Sequence, residues 1–534
     1  MDYERFVDEL KNPNTFGLKK ETPLTMLQTH ISLIVLTGTF AYKIKKPVNF
    51  GFLDFSTLEK RKKYCFEERR LNSYLCPDLY EEVVVFTETS NGNKLEINGD
   101  GPIVDFAVKM KQFPQEHMMT NLLKNQMITT DHIDELIDQL VPFYKKSKST
   151  EEIKSYGTVD AIKKNIDENF EQTKNKINQT ISLEQYQHIK KANESFFSLA
   201  KSLFEHRRTK GFIKSCHGDL HSGNIVLFND NLCIFDCIEF NKRFRYIDVA
   251  SDIGFLAMDL DIQNHPFLSS YLIKEYTTKS NDHSLVNVLN FYKSYRAYVR
   301  GKVLGFQLDD PHIDNETKKS LLHQISTYFS LSSYYAELMT LQVRKHKPLL
   351  FMMSGLTGTG KSTVALKLSI DYNAIVINTD VVRKKRVGID TYERHLDDPN
   401  TGLYSPNQVH QTYKKVISKA EDLLSKGRNV ILDATFQKQR YRQMVQTLSK
   451  QSKAIFIPVL CTCQETTAKE WLDNRLKTKS VSDGRWEIYQ MQKKSFEAFT
   501  DDEKPITIHT DNTDYDKRMT FFNSMLNRIK QEYV

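Results

Sequence analysis

The sequence predicts two domains of different class: an α+β domain over residues 1–342 and an α/β, doubly wound domain over 349–534, joined by a linker at 343–348. Two observations carry this. The first half passes from strand-and-turn patterning into Lys/Glu-rich helical patterning. Beyond the polar, Pro-ended stretch that closes at Pro348, strand-length apolar runs alternate with helical stretches, which implies a parallel sheet covered on both faces. The length agrees, since 534 residues are enough for several cores at roughly 150 residues each.

Within the first 125 residues, runs 29–36 and 39–48 are strand-like and meet at a Thr37-Gly38 turn, a hairpin signal. Residues 58–75 read as a charged helix stopped by Cys76-Pro77. Runs 82–87, 94–98 and 103–111 supply further strands, with a turn at Asn91-Gly92-Asn93. Residues 126–210 are helical in period, strand-like pieces return at 225–228 and 232–235, and helices follow to about 342. In the second half the strand candidates are 349–354, 374–378, 429–433, 454–460 and 506–510.

Composition narrows the class. Hydrophobic residues make up 40% and aromatic residues 11%, ordinary for a globular protein, which excludes fibrous and wholly disordered readings. The apolar runs are far short of the roughly 20 residues that a bilayer requires, so no membrane role is expected. No basic region precedes an apolar one at the N-terminus. The seven cysteines are odd in number and poorly spaced for a disulfide framework or a zinc site. Cys233, Cys237, Cys461 and Cys463 read as buried thiols, and the expected compartment is a reducing cytoplasm. A net charge of +8 is mild over this length and suits phosphate-bearing ligands.

The densest chemistry of the first half is His217-Gly218-Asp219-Leu220-His221-Ser222-Gly223-Asn224, followed by Phe235-Asp236-Cys237-Ile238-Glu239-Phe240. Phosphoryl transfer requires a carboxylate to receive the proton of the attacking hydroxyl, and oxygen ligands for magnesium. Asp219 with Asn224 five positions on has the spacing of the protein-kinase catalytic loop, which makes Asp219 the base and Asn224 a metal ligand. Asp236, at the end of an apolar strand, fits the second metal ligand. The bland alternative is a polar loop whose acids cap turns.

These residues carry a resemblance. H-G-D-L-H-x-G-N followed by F-D-x-I-E-F resembles the aminoglycoside phosphotransferase and choline kinase-like branch of the protein-kinase fold, which implies a two-lobed, protein-kinase-like first domain. Asp248 and Asp252 resemble the branch's D-x-A-x-D helix start, where the acids brace the catalytic loop; helix capping is the compatible alternative. Phe40-Ala41-Tyr42-Lys43 has the spacing of V-A-I-K, so Lys43 is the expected nucleotide lysine, followed by Lys45 on the same face and then Lys109. Glu68 is preferred to Glu67 as its partner. Residues 106–113 are the expected hinge against adenine. No G-x-G-x-x-G covers the phosphates, which argues against a protein substrate.

Gly355-Leu356-Thr357-Gly358-Thr359-Gly360-Lys361-Ser362 is a complete G-x-x-x-x-G-K-S between a predicted strand and a helix that opens at Thr363. Backbone amides of such a loop wrap phosphates, Lys361 reaches the terminal ones and Ser362 holds magnesium. Asp433, ending the run 429–433, sits as a Walker-B carboxylate would. Asn378-Thr379-Asp380-Val381-Val382-Arg383 resembles small P-loop kinases: polynucleotide 5′-hydroxyl kinases, zeta-toxin-like kinases and chloramphenicol phosphotransferases. That resemblance implies Asp380 as general base and Arg383 as clamp on substrate or phosphate. The plain alternative is an N-cap and a solvated basic turn. Arg475 and Arg485 are the candidates for neutralising charge during transfer.

As a whole the chain resembles the microbial bifunctional aminoglycoside phosphotransferase/ATP-binding protein family, over nearly its full length. Gln28-Thr29-His30-Ile31-Ser32, the block from Lys46 through Leu58, and Tyr404-Ser405-Pro406 look like blocks of that family. The resemblance implies a kinase-like fold joined to a P-loop kinase, not a known substrate. The two complete sets of phosphoryl-transfer residues favour two ATP- and Mg2+-dependent kinase sites acting on small hydroxylated molecules, whether sugar, aminoglycoside-like or nucleotide-like. Two alternatives stand beside it. The second half is a polynucleotide kinase, for which the basic run Arg383–Arg386 speaks but no aromatic–basic stacking platform does; or one half is a nucleotide sensor, against which Asp219 and Asp380 speak. Acceptor residues are expected within 126–210, 260–310 and 386–405, with Tyr295, Arg296 and Arg300 either reaching the first cleft or packing on a core.

Overall fold

In the computed structural model, described over residues 2–89, 94–310, 312–343, 347–394, 401–477 and 480–532, the chain forms two compact units. One comprises Met1–Glu171, Lys201–Gln263 and Glu275–His283; the other comprises Gln172–Ala200, Asn264–Lys274 and Ser284–Val534. A single cut at 343–348 therefore does not describe how the chain compacts. Helices Leu183–Leu199, Val286–Gln307 and Asn315–Val343 pack on one another, with Phe196 stacked on Phe291 at 5.2 Å and Tyr298 against Phe329 at 5.1 Å. Buried bonds then tie these helices to the helix Lys361–Asp371: Tyr334 Oη donates to Asp371 Oδ2 at 2.8 Å, and Asn290 Nδ2 to its carbonyl at 3.0 Å. Residues 344–346 of the expected linker, and the expected turn at 91–93, lie outside the described residues.

The first unit is α+β. Six strands, β1 (Thr25–Gln28), β2 (Ser32–Leu36), β3 (Phe40–Lys45), β4 (Tyr80–Glu88), β5 (Leu95–Ile97) and β6 (Ile103–Lys111), form an antiparallel sheet in the order β1-β2-β3-β6-β4-β5. The expected run 29–36 is split by a turn in which the Ser32 amide donates to Thr29 Oγ1 at 2.9 Å. The extra strand β1 escaped pattern reading because it is largely exposed and shows no apolar alternation. The helix Leu58–Asn72, capped by Thr57, packs on the sheet face formed by Ala41, Val108 and Met110. The helical remainder carries two short antiparallel pairs: β7 (Ile213–Ser215) with a strand at Tyr246–Asp248, and β8 (Ile225–Phe228) with β9 (Asn231–Ile234), so Tyr246–Asp248 is β10.

Two sequence expectations are corrected here. Cys233 is not a free thiol. It is joined to Cys76, 157 residues away, with Cα atoms 5.2 Å apart, within the span of a disulfide. Residues 1–125 also hold a helix at Tyr3–Glu9, too short to show periodicity, whose Phe6 packs edge-on against Phe86.

The second unit contains the doubly wound sheet. Strands β11 (Leu349–Ser354), β12 (Ile375–Asn378), β13 (Val430–Asp433), β14 (Ile455–Thr462) and β15 (Ile506–His509) are all parallel, in the order β12-β13-β11-β14-β15. All six residues of β11 are buried, as a central strand covered on both faces requires. The fold classes read from the sequence are the ones observed. Among the described residues no helix is long and apolar enough to cross a membrane.

One buried ion cluster yields a stability prediction. The Arg207 guanidinium lies between Asp248 and Asp282, donating to both at 2.7–2.9 Å with every side chain at most 3% exposed. Arg207→Met removes the cation between two buried carboxylates and is expected to destabilise the first unit by about 3–5 kcal/mol. Urea unfolding checks this; an unchanged first transition contradicts it.

Candidate active sites

In the first unit β7 delivers the chain into Cys216 and the segment His217-Gly218-Asp219. Gly218 has φ +90°, and a Cβ there would lie 2.8 Å from the Phe244 carbonyl, so this position requires glycine. The loop is held from below by Asp252, whose carboxylate accepts from the amides of His217 at 2.7 Å and Gly218 at 2.9 Å and from Tyr144 Oη at 3.0 Å. Asp248 instead caps the following helix and pairs with Arg207. The resemblance-implied bracing is thus carried by Asp252, and capping by Asp248. Asp259, which sequence reasoning missed, accepts from the Ser222 amide at 2.8 Å.

Asn224 Nδ2 donates to Asp219 at both its carbonyl, 2.9 Å, and its Oδ2, 3.0 Å, so base candidate and metal-ligand candidate are fixed to each other. His221 Nε2 stands 3.4 Å from the same carboxylate. His217 is fully buried, and burial pushes its imidazole below its ordinary value despite the nearby Asp252, Asp219 and Asp236 charges. It is neutral and donates to the Phe235 carbonyl at 2.9 Å, which fixes the strand end that carries Asp236.

The lysine question resolves into a box of five charges. Lys43 pairs with Glu68 at 2.8 Å and with Asp236; Lys45 pairs with the other Glu68 oxygen at 2.6 Å and with Glu239. Burial raises the Glu68 carboxyl, but the two lysines more than offset it and hold it at about 2. Lys109 and Glu67 stand elsewhere: Lys109 pairs with Glu82 at 3.0 Å, and Glu67 with Arg70 at 2.7 Å. In the expected hinge, the amides of Lys111 and Gln112 donate to the Leu79 and Thr39 carbonyls within the sheet. Tyr295, Arg296 and Arg300 lie on the helix Val286–Gln307, among the packed helices of the second unit.

In the second unit the loop from Gly355 to Gly360 joins β11 to the helix Lys361–Asp371, two residues longer at its start than expected. Gly355, Gly358 and Gly360 all have positive φ, and a Cβ at Gly355 would overlap the Cys461 carbonyl. Thr359 Oγ1 donates to the Leu356 carbonyl at 2.8 Å, and the Thr357 amide to Gln492 Oε1 at 2.8 Å. Asp433 Oδ2 accepts from Ser362 Oγ and from Asn378 Nδ2, both at 2.7 Å, a hydroxyl–carboxylate set of the hard-oxygen kind that magnesium takes.

Asn378 also caps the helix Thr379–Arg386, accepting from the amides of Asp380 at 2.9 Å and Val381 at 3.2 Å. The capping alternative for Asp380 is thereby corrected: its neighbour is the cap, and Asp380 lines a cavity of about 450 Å³ together with Lys361, Ser362, Asp433 and Arg475. Arg383 is buried, donates to Asp380 Oδ1 at 2.5 Å and lies 4.7 Å above the Tyr404 ring. It is not a solvated turn residue, and neither is Lys384, which is 1% exposed. Arg485 lines the same cavity. Residues 395–400 of the expected acceptor segment lie outside the described residues.

Burial lowers the Lys361 ammonium below its ordinary value, and Asp433 opposes this only in part. Nζ donates to the Leu356 carbonyl at 2.6 Å. A bound phosphate favours the charged form, so nucleotide binding takes up a proton in the pH interval between the lowered value of the free site and the higher value of the bound one. Affinity at this site is expected to fall as pH rises through that interval. Calorimetry in two buffers of different ionisation enthalpy checks the uptake; buffer-independent heats contradict it.

Comparison with known proteins gives the following. Residues 350–499 match the family model described as an AAA domain. The chain is 28% identical over 439 residues to uncharacterized protein Rv2004c of Mycobacterium tuberculosis, covering 82% of this chain and 83% of that one. A choline/ethanolamine kinase family protein from Mesorhizobium loti covers 62% of this chain and 98% of its own, at 13% identity and TM-score 0.35. A gluconokinase from Sinorhizobium meliloti covers 35% of this chain and 97% of its own, at 15% identity and TM-score 0.25.

Proposed function

We propose that the chain is a phosphotransferase with two kinase-type sites, each moving the terminal phosphate of ATP to a hydroxyl group of a small molecule. The observation that carries this reading is a carboxylate beside each phosphate-binding set that nucleotide binding alone does not require. Asp219 is fixed by Asn224 in a unit that also assembles Lys43, Glu68 and Asp236. Asp380 shares a cavity with Lys361 and the phosphate loop.

The chemistry follows from these placements. The acceptor hydroxyl gives its proton to the carboxylate as its oxygen bonds to the terminal phosphorus, and the bond from that phosphorus to the bridging oxygen breaks. Lys43 and Lys361 neutralise donor phosphates, and Arg383, Arg475 and Arg485 add positive charge around the second acceptor. Asn224 and Asp236 at one site, and Ser362 with Asp433 at the other, would hold magnesium, which when bound neutralises phosphate charge. A cavity of about 450 Å³ is in the range of small-molecule sites.

The test is transfer of label from γ-labelled ATP, with magnesium, to a small-metabolite extract and separately to short RNA. The expected product is a labelled low-mass phosphomonoester. Label on RNA alone would assign the second site to nucleic acid, and ATP binding with no labelled acceptor would make the chain a sensor.

A further inference from the structure

We infer that Asp483 is a positioning residue that joins the nucleotide side of the second site to its acceptor side. The inference rests on the reading of that site as a kinase centre and adds a residue to it. The two oxygens of Asp483 serve different elements. Oδ1 accepts from Lys384 Nζ at 3.0 Å, an ion pair with side chains 1% and 2% exposed, and Oδ2 accepts from Tyr404 Oη at 2.6 Å.

The lysine belongs to the helix Thr379–Arg386, which also bears Asp380 and Arg383, and its ammonium further donates to the Val481 carbonyl at 2.9 Å and the Thr391 carbonyl at 3.3 Å. Tyr404 in turn supports the Arg383 guanidinium, which grips Asp380. Burial, then the charges of Asp380 and Asp483, push its phenol above the usual range, so it remains an O–H donor.

On the opposite side the next residue, Gly484, lies against the phosphate loop. A Cβ there would overlap Thr357 Oγ1 and approach Arg475 Nη1 to 3.4 Å. One buried carboxylate therefore fixes segment 480–485 on the phosphate loop and, through Tyr404, sets the rotamers of the Arg383–Asp380 pair. Small misplacements of reacting groups are costly, which is why such a residue matters to rate.

The test uses the full chain carrying Lys43→Met and Asp219→Asn, so that only the second site reports. Affinity for a fluorescent ATP analogue with magnesium is measured beside transfer from γ-labelled ATP to the metabolite extract. Tyr404→Phe keeps the ring under Arg383 and is expected to leave analogue affinity within about twofold while cutting transfer about 10- to 100-fold. Asp483→Asn is expected to weaken both, and the pair of substitutions to be no worse than Asp483→Asn alone, because both cut one path. Unchanged transfer in Tyr404→Phe, unchanged affinity in Asp483→Asn, or additive losses would each overturn the inference. Asp380→Asn, run alongside, separates the two levels: full transfer in that variant refutes the reading of the site, and the inference with it.

Discussion

Asp219→Asn is expected to lower phosphate transfer at the first site by roughly 10²–10⁴-fold, the span of a lost general base, while nucleotide affinity there stays close to that of the unaltered protein. The asymmetry follows from where the carboxylate sits. Asp219 is bonded to Asn224 and stands near His221, whereas the nucleotide-side charges, Lys43, Lys45, Glu68, Asp236 and Glu239, pair among themselves without it. Asparagine keeps the shape and can still meet the Asn224 amide through its carbonyl oxygen, but it cannot take a proton. Turnover with the labelled product, paired with nucleotide titration, checks the split. A parallel loss of nucleotide affinity would show that Asp219 acts in binding instead.

Lys361→Met is expected to cut both nucleotide affinity and transfer at the second site, the latter by roughly 10²-fold or more, the scale of removing one strong donor from a developing negative charge. The stability of the unliganded chain should not fall with it. Lys361 is half-buried, and its depressed ammonium reports a charge that desolvation disfavours, so an apolar side chain of similar length relieves that cost. Reduced activity at an undiminished melting temperature is the expected signature. Reduced activity with a large drop in melting temperature would mean that the variant has disturbed the loop rather than removed its charge.

How far the sequence carried these sites depends on how local their chemistry is. The phosphate loop is contiguous, and β6 and β11 begin and end where apolar runs do, so both were readable. Asp219 and Asn224 are five positions apart and were readable for the same reason. Lys45 and Glu239 are separated by 194 positions, and Lys384 and Asp483 by 99; no window holds either pair. The run Arg383–Arg386 looks like a solvated basic face because charge alone does not reveal which members turn inward, and here Arg383 and Lys384 do. The Asn378 cap had a signal that could have been used, a side-chain acceptor at a strand end just before a helix. The break in patterning at Pro348 located the parallel sheet. It could not show that helices 183–199, 286–307 and 315–343 side with that sheet, because an amphipathic stripe does not name its partner.

The central claim is that the chain holds two independent transfer sites, and it is tested most directly by label transfer from γ-labelled ATP with four proteins side by side: unaltered, Asp219→Asn, Asp380→Asn, and the double variant. The account predicts that each single variant loses one set of labelled products and retains the other, and that the double variant labels nothing while still binding ATP. Label persisting in the double variant, or one single variant abolishing every product, would contradict it.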